Sequence, residues 1–502
     1  MVTNLDFYTL LPVALIVAWA CVLLLLDVFL IKEKHHITAL LTAVGLALAL
    51  GITLTQSGQS LLGFNGMIAL DDFSVFMNAL FLVTGLLGVA VSVGYAERMN
   101  IARDEYYILM LFSIAGMMLM AQATDLIVVF IALELLSIPL YVLSAFAFPR
   151  ADSEEAGMKY FLLGAFSSGF LLYGIALIFG ATETTSLYAI SSVIMNGTYN
   201  ATLLLIGSGL ILVGFGFKIA SVPFHMWTPD VYQGAPTSVT AFMSAGAKAA
   251  GFAALMRVFT VAFMNNALDI TPILWTLSAL TMIVGNLIAV SQTNIKRMLA
   301  YSSIAQAGYI LMAFVPYGTG VTNDALSAGV FFLAAYTITS FGAWAVVIML
   351  ERRDPSPALR QAQDGSSGQG AKGLEITDYA GLGRKYPLIG VAMTIFMFSF
   401  IGIPPTFGFL GKFYLFRSAI ESGYIWLAVI GVLTSLISAY YYLRVVVMMF
   451  MRDGAPEVER DIWLDFTVGA MAIATVIITF VPSWLFDWAW RAGISLAFPW
   501  KG

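Results

Sequence analysis

The sequence predicts an all-α polytopic membrane protein of about fourteen transmembrane helices, built around two inverted five-helix repeats that each contain a proline-broken helix, the seventh and the twelfth. Three observations carry this expectation. Hydrophobic residues make up 60% of the 502-residue chain and charged residues 11%, against about 25% charged in a typical soluble protein. The apolar residues run in stretches close to the ~20 residues that cross a bilayer. The basic residues fall in alternate connections between those stretches.

The stretches lie near 9–31, 37–55, 73–95, 105–122, 125–147, 157–181, 202–223, 237–264, 271–290, 298–316, 325–350, 387–417, 424–450 and 463–490. The first has no basic region before it and is closed by Lys32 and Lys34, so it is expected to be a retained helix and not a cleaved signal. Connections after odd-numbered spans hold Lys32 and Lys34, Arg98 and Arg103, Arg150, Lys296 and Arg297, then Arg352, Arg353, Arg360, Lys372, Arg384 and Lys385, and finally Arg452 and Arg460. Connections after even-numbered spans hold no Lys or Arg, and 224–236, after the seventh, holds none either. The positive-inside rule then places the odd connections in the cytoplasm and both termini on the outer side. A miscounted helix would invert the pattern downstream of the error.

Four regions follow: an N-terminal three-helix unit (1–104), a first five-helix repeat (105–264), a second repeat (265–450), and a last helix with its tail (451–502). The second repeat is interrupted by the polar connection 351–386, whose QAQDGSSGQGAKG run has too few apolar residues to bury and is expected to be flexible. An odd number of spans per repeat inverts the second in the membrane, a recurrent transporter plan.

Function is expected where charge enters the apolar spans. A lysine at mid-bilayer costs at least ~2.5–3.5 kcal/mol, so it needs a reason to be there. Lys218 lies in GFGFKIASVPFHMW, just before Pro223, and Lys412 in FIGIPPTFGFLGKFYLF, just after Pro404 and Pro405. A broken helix at membrane depth must be buried in protein or line a wet cavity. Burial favours the neutral form of a lysine and a nearby carboxylate its charged form, so a lysine held between them can pass a proton near neutral pH. Arginine could not. Glu134, within DLIVVFIALELLSIPLYVL, is a carboxylate that must pair or be protonated; a structural ion pair is the plainer alternative. Lys248 sits among Gly246, Ala247, Ala249 and Gly251; helix packing explains the small residues but not the lysine. Lys159, near the start of its helix, is a relay residue or an interfacial anchor, and Lys412 could also snorkel to an interface. His225, in the first break, could relay protons or hold the broken backbone. Arg257 reads as a structural counter-ion. The expected proton relay is therefore Glu134, Lys159, Lys218, His225, Lys248 and Lys412.

A net charge of −5 with no basic tract argues against nucleic acid as a partner. Cys21 is the only cysteine, which excludes a cysteine-ligated iron–sulfur cluster or a thiolate zinc site held by this chain alone. There is no phosphate-binding loop, no dinucleotide fingerprint and no HExxH. The chain is expected to move charge without bond chemistry and to hold no cofactor or metal.

Four segments carry a family resemblance: FKIASVPFHMWTPDVYQGAPTSVTAF at 217–242, NLIAVSQTNIKRMLAYSSIAQAGYILM at 286–312, DYAGLGRKYP at 378–387 and GIPPTFGFLGKFYLF at 402–416. The chain resembles, over essentially its whole length, the antiporter-like proton-translocating subunits of respiratory complex I, and WTPDVYQGAP is similar to the N type, counterpart of mitochondrial subunit 2. The resemblance implies fourteen helices and roles for Glu134, Lys159, Lys218, Lys248 and Lys412 in proton translocation coupled to quinone reduction. It also implies that NAD(H), FMN, iron–sulfur clusters and quinone belong to partner subunits. The neighbours it implies are the M-type subunit, the small K-type subunit and the lateral helix of the L-type subunit. The M type carries glutamate where this chain has Lys412, and the L type is longer. The departure from the family pattern is the long connection 351–386. Two other readings stay open: a subunit of a multi-subunit Na+/H+ antiporter or membrane-bound hydrogenase, and a scaffold that packs the membrane arm without pumping.

Overall fold

The computed structural model describes residues 3–29, 35–264, 267–316, 322–352 and 372–497. The expected flexibility of 351–386 falls mostly on 353–371, outside the described residues.

Helices α1 (Asn4–Phe29) and α2 (His35–Thr55) lead into a short antiparallel hairpin, β1 (Leu61–Gly63) and β2 (Ile68–Leu70), with Leu61 opposite Leu70. Then come α3 (Asp72–Arg98), α4 (Glu105–Gln122), α5 (Leu126–Ser144), α6 (Ala151–Thr182), α7 (Leu187–Asn196) and α8 (Ala201–Ile219). After a break follow α9 (Trp227–Gly234), α10 (Thr237–Phe242), one π-helical turn (Met243–Ala247) and α11 (Lys248–Ala262). The remainder is α12 (Ala267–Ser291), α13 (Ile295–Leu311), α14 (Thr322–Leu350), α15 (Leu382–Lys385), α16 (Pro387–Ile401), α17 (Phe407–Glu421), α18 (Ile425–Met451), α19 (Ile462–Phe480) and α20 (Ser483–Ala497).

Helix is the element lipid demands, because every backbone N–H and C=O of a crossing segment must be satisfied within it. Polar side chains mark where many of these helices start. Asp71 accepts from Ser74 N at 2.8 Å before α3, Asp125 from Ile127 N at 2.8 Å before α5, and Asn294 from Lys296 N at 3.0 Å before α13. Each occupies one of the N–H groups left open at a helix start.

Among the described residues, twelve helical segments are long and apolar enough to cross a membrane. They match the expected spans except the tenth and twelfth. The tenth falls on the 17-residue α13, and the twelfth is divided into α16 and α17, 15 residues each. The fourteenth differs from expectation: α19 stops at Phe480, Pro482 opens a new helix, and α20 turns back against α3, α11 and α14. Trp488 sets its ring 4.9 Å from that of Phe76, and Ser495 Oγ accepts from Phe73 N at 3.0 Å. A continuous apolar run concealed this corner, because Pro482 removes the N–H that would continue the ladder. Hydrophobicity also did not announce α7.

Burial divides the bundle into pillars and rim. The α10–α11 segment is 100% buried, while only 33% of α1 and 39% of α6 is. The central pillar is the one that carries Lys248.

Both proline-broken helices close in the same way. At the end of α8, Ala220 takes φ 61° and Ser221 N donates to Gly216 O at 2.8 Å. At the end of α16, Gly402 takes φ 88° and Ile403 N donates to Phe398 O at 3.0 Å. This left-handed cap with a bond reaching back five residues satisfies a carbonyl that a severed helix would leave bare.

Candidate functional site

Three buried lysines form the site, each with its ammonium held by neutral oxygen. Lys218 is 4% exposed, in the last turn of α8. Its Nζ donates to Ser137 Oγ at 2.8 Å and to Tyr160 OH at 3.2 Å, and lies 5.5 Å from the centre of the Tyr160 ring. Glu134, Ser137 and Tyr141 are spaced three and seven apart on α5, which puts them on one face. Glu134 acts electrostatically on Lys218. Its Oε1 is buried and has no hydrogen-bond partner among the described residues. A narrow cavity between α5, α6 and α8 is lined by Ser137, Tyr141, Ser167, Ser168 and Lys218. Glu134 thus stands one turn from Ser137, which holds the Lys218 ammonium, with no ion pair between Glu134 and Lys218 among the described residues.

Lys248 follows the π turn directly and is 2% exposed. Such turns are frequent at functional sites because they redirect the side chains that follow. Its Nζ donates to the carbonyl and hydroxyl of Ser303, at 2.6 and 2.8 Å, and stands 5.9 Å from the Tyr336 ring. One turn further along α11, Gly251 faces the Lys218 stem: a β-carbon there would lie 3.3 Å from Lys218 Cγ. The small residues around Lys248 therefore let the two lysine-bearing helices touch.

Lys412 lies after its break, on α17, and is 3% exposed. It reaches back to the end of α16, donating to Phe400 O at 2.8 Å, Ile401 O at 3.1 Å and Ser435 Oγ at 3.0 Å. The Tyr309 ring centre is 4.2 Å away. These carbonyls are the negative end of a helix dipole, a natural seat for a cation. Snorkelling does not describe this side chain. Between Lys248 and Lys412 the polar groups are nearly continuous. Gln306 Nε2 donates to Phe400 O at 3.0 Å and Tyr442 OH at 3.4 Å, and Tyr442 also bonds Ser302, the neighbour of Ser303.

Lys159 lies apart from these three. It is 40% exposed and pairs with Glu155 and with Asp230 Oδ2, at 2.7 and 2.8 Å. Arg297 holds the other Asp230 oxygen at 2.8 Å. Asp230 sits in WTPDVYQG, outside the apolar spans, where burial alone would raise its carboxyl but Lys159 and Arg297 hold it below the usual carboxylate range. Successive helical residues point ~100° apart, so Tyr160, not Lys159, faces Lys218. His225 is half-buried in the turn after Pro223, its Nδ1 buried and without a hydrogen-bond partner among the described residues. Arg257 makes a two-pronged pair with Asp71 at 2.8 Å and donates to Ala121 O at 2.6 Å, as a structural counter-ion would.

Sequence reasoning missed Ser137, Tyr160, Ser303, Tyr309 and Ser435. Ser137 had a signal, its helical spacing from Glu134; the others come from distant segments and had none.

This bundle of broken helices and buried lysines defines a class. The family model described as NADH:quinone oxidoreductase/Mrp antiporter, TM, matches residues 123–438. Similar chains narrow it further. NADH-quinone oxidoreductase subunit N of Trichlorobacter lovleyi is 46% identical over 475 residues, covering 94% of this chain and 93% of that one. A chain of respiratory complex I from Thermus thermophilus with bound aureothin is 34% identical, with a TM-score of 0.79, covering 95% of this chain and 98% of that one. A chain of the Mrp complex from Dietzia shares the fold at a TM-score of 0.85 but only 20% identity, over 99% and 98% of the two chains. The chain belongs to the NADH-quinone oxidoreductase subunit N family.

Proposed function

We propose that the chain is a proton-translocating membrane-arm subunit, of the N type, in a NADH:quinone oxidoreductase, coupling quinone reduction elsewhere in the complex to proton movement through its own buried lysines. One observation carries this reading: Lys218, Lys248 and Lys412 are each at most 4% exposed, and each is bound by hydroxyl or carbonyl oxygen, with no carboxylate in direct contact among the described residues. An ammonium so held costs several kcal/mol of desolvation. The cost is understandable where the group must give up its proton.

In this scheme Glu134 tunes the hold of Lys218 on its proton. Coulomb coupling is strong where water does not screen it. When the negative charge is withdrawn or neutralised, Lys218 releases its proton toward Lys248. From there it passes by Ser303, Ser302, Tyr442 and Gln306 to Lys412 and the outer face. Lys159, Asp230 and His225 lie at the side from which Lys218 would be reloaded. NADH, FMN, iron–sulfur clusters and quinone would be handled by partner subunits, with M-type and K-type subunits and the L-type lateral helix as neighbours.

We further propose that α13 and the α16–α17 pair complete fourteen crossings, with both termini on the outer side of a bacterial plasma membrane. The packing of α4 on α5 and α6 on α8 has counterparts in α12 on α13 and α14 on α16–α17, which supports two five-helix repeats. The antiporter reading has behind it the shared family model and a fold likeness at 20% identity, whereas the subunit N relatives match at 38–46% identity.

The test is Lys218→Ala and Lys218→Arg in the assembled complex in proteoliposomes, following NADH-driven quinone reduction and lumenal pH together. Both variants are expected to lose coupled proton translocation, because alanine carries no proton and a guanidinium does not release its own. Parental pumping by Lys218→Ala would sink the scheme and revive the scaffold reading.

A further inference from the structure

A second buried acid lies outside this relay. Glu351, at the end of α14, is 0% exposed, and both carboxylate oxygens are buried without a hydrogen-bond partner among the described residues. Buried carboxylates are rarely left so, because an unpaired buried charge is too costly to keep without a purpose. Lys296 is also 0% exposed, and its Nζ donates to Ala235 O at 2.7 Å; no ion pair joins it to Glu351 among the described residues.

Hydrogen bonds link five connections near this point, those after the third, fifth, seventh, ninth and eleventh spans, through Arg98, Arg150, Ala235, Lys296 and the 372–376 segment. All belong to the side that the basic residues assign to the cytoplasm. Arg98 donates to Ile348 O at 2.5 Å and Arg150 to Gly234 O at 3.3 Å. The segment from 372 pairs with the start of α13: Ile295 N donates to Leu374 O at 2.8 Å and Ile376 N to Thr293 O at 2.9 Å. Gly373, at φ 86°, has no room for a β-carbon against Leu350 O.

Two helical rails lead from this point to Lys248. On α13, Lys296 and Ser303 are seven residues apart, two turns on one face or ~10.5 Å, and Ser303 holds the Lys248 ammonium. On α14, Tyr336, Ser340, Trp344 and Glu351 recur at helical spacing, with Tyr336 beside Lys248 and Ser340 Oγ 3.1 Å from Ser244 Oγ. Tyr232, 1% exposed, fills the space between the rails: its ring centre is 6.4 Å from that of Trp344 and it interacts with the Ser303 hydroxyl.

We propose that Glu351 and Lys296 form a cytoplasmic-side proton-loading site for Lys248, distinct in place from the Glu134–Lys218 pair and required in the same cycle. The ligand is the proton: Glu351 takes it from water, Lys296 stabilises the carboxylate left when it is passed on, and the Tyr232–Ser303 side receives it. This rests on the relay reading above.

The test compares Glu351→Gln, Glu351→Asp and Lys218→Ala in complexes verified as assembled, measuring protons translocated per quinone reduced across a pH series. Glu351→Gln is expected to lower that ratio by up to the whole share that this subunit contributes. Glu351→Asp, which keeps a titrating carboxyl, is expected to pump with a displaced pH profile. The inference is overturned if Glu351→Gln pumps with the parental ratio and pH profile, or if Glu351→Asp is as impaired as Glu351→Gln, which would indicate packing alone. Parental pumping by Lys218→Ala would sink the relay itself; parental pumping by Glu351→Gln beside a dead Lys218→Ala would sink only the loading site.

Discussion

The two broken helices end alike and use their lysines differently. Lys218 precedes its break and points away from the severed backbone, to a hydroxyl, a phenol and the field of Glu134. Lys412 follows its break and binds the severed backbone itself, through Phe400 O and Ile401 O. The first ammonium is governed by a side-chain charge that can move or be neutralised. The second is governed by a helix end that cannot be neutralised while the fold persists. In the proposed relay, Lys218 would be the stage that switches and Lys412 the one that does not.

The largest expected effect that would break this comparison is Glu134→Gln. Removing the charge should cut coupled pumping severalfold. The Lys412 surroundings would be untouched. Equal pumping in Glu134→Gln and parent complexes, measured as the lumenal pH change per quinone reduced, would mean that Glu134 serves only as structure.

Next in size is the pair Ser137→Ala and Ser435→Ala. A hydrogen bond to a charged group contributes ~1.5–3 kcal/mol. Ser137→Ala leaves Lys218 with Tyr160 alone, whereas Ser435→Ala leaves Lys412 with two carbonyls. Pumping should fall more in the first, and the reverse order would contradict the contrast drawn here.

The smallest effect concerns the caps. Gly402→Ala forces a β-carbon into a left-handed residue, at ~1–2 kcal/mol, and sets it 3.0 Å from Lys412 Cδ. Ala220→Gly should relieve the matching strain, less the entropic cost of glycine, for a net gain of about 1 kcal/mol or less. Thermal inactivation of the assembled complex should therefore shift down for Gly402→Ala and slightly up for Ala220→Gly.

What the sequence by itself determined is whatever depends on neighbours along the chain. Hydrophobic runs set most helices, because lipid leaves helix as the element that satisfies its own backbone. Prolines 223, 404 and 405 marked the two breaks, and a charge amid apolar residues is conspicuous at any depth, so Glu134, Lys218, Lys248 and Lys412 could be named before the fold was known. Lys159 was named for the same reason, yet its neighbour Tyr160 is the one that reaches Lys218, because side-chain direction depends on helix phase against a partner. The turn at Pro482 was hidden because an apolar run has the same composition whether it continues or folds back on α3 and α14. Tertiary structure alone decided which oxygens hold each ammonium: Ser303 lies 55 residues from Lys248, and Ser137 lies 81 from Lys218. Nothing along the chain singled out Glu351; its burial comes from segments distant in sequence. Burial is a property of the assembled bundle, and no reading of neighbours along the chain supplies it.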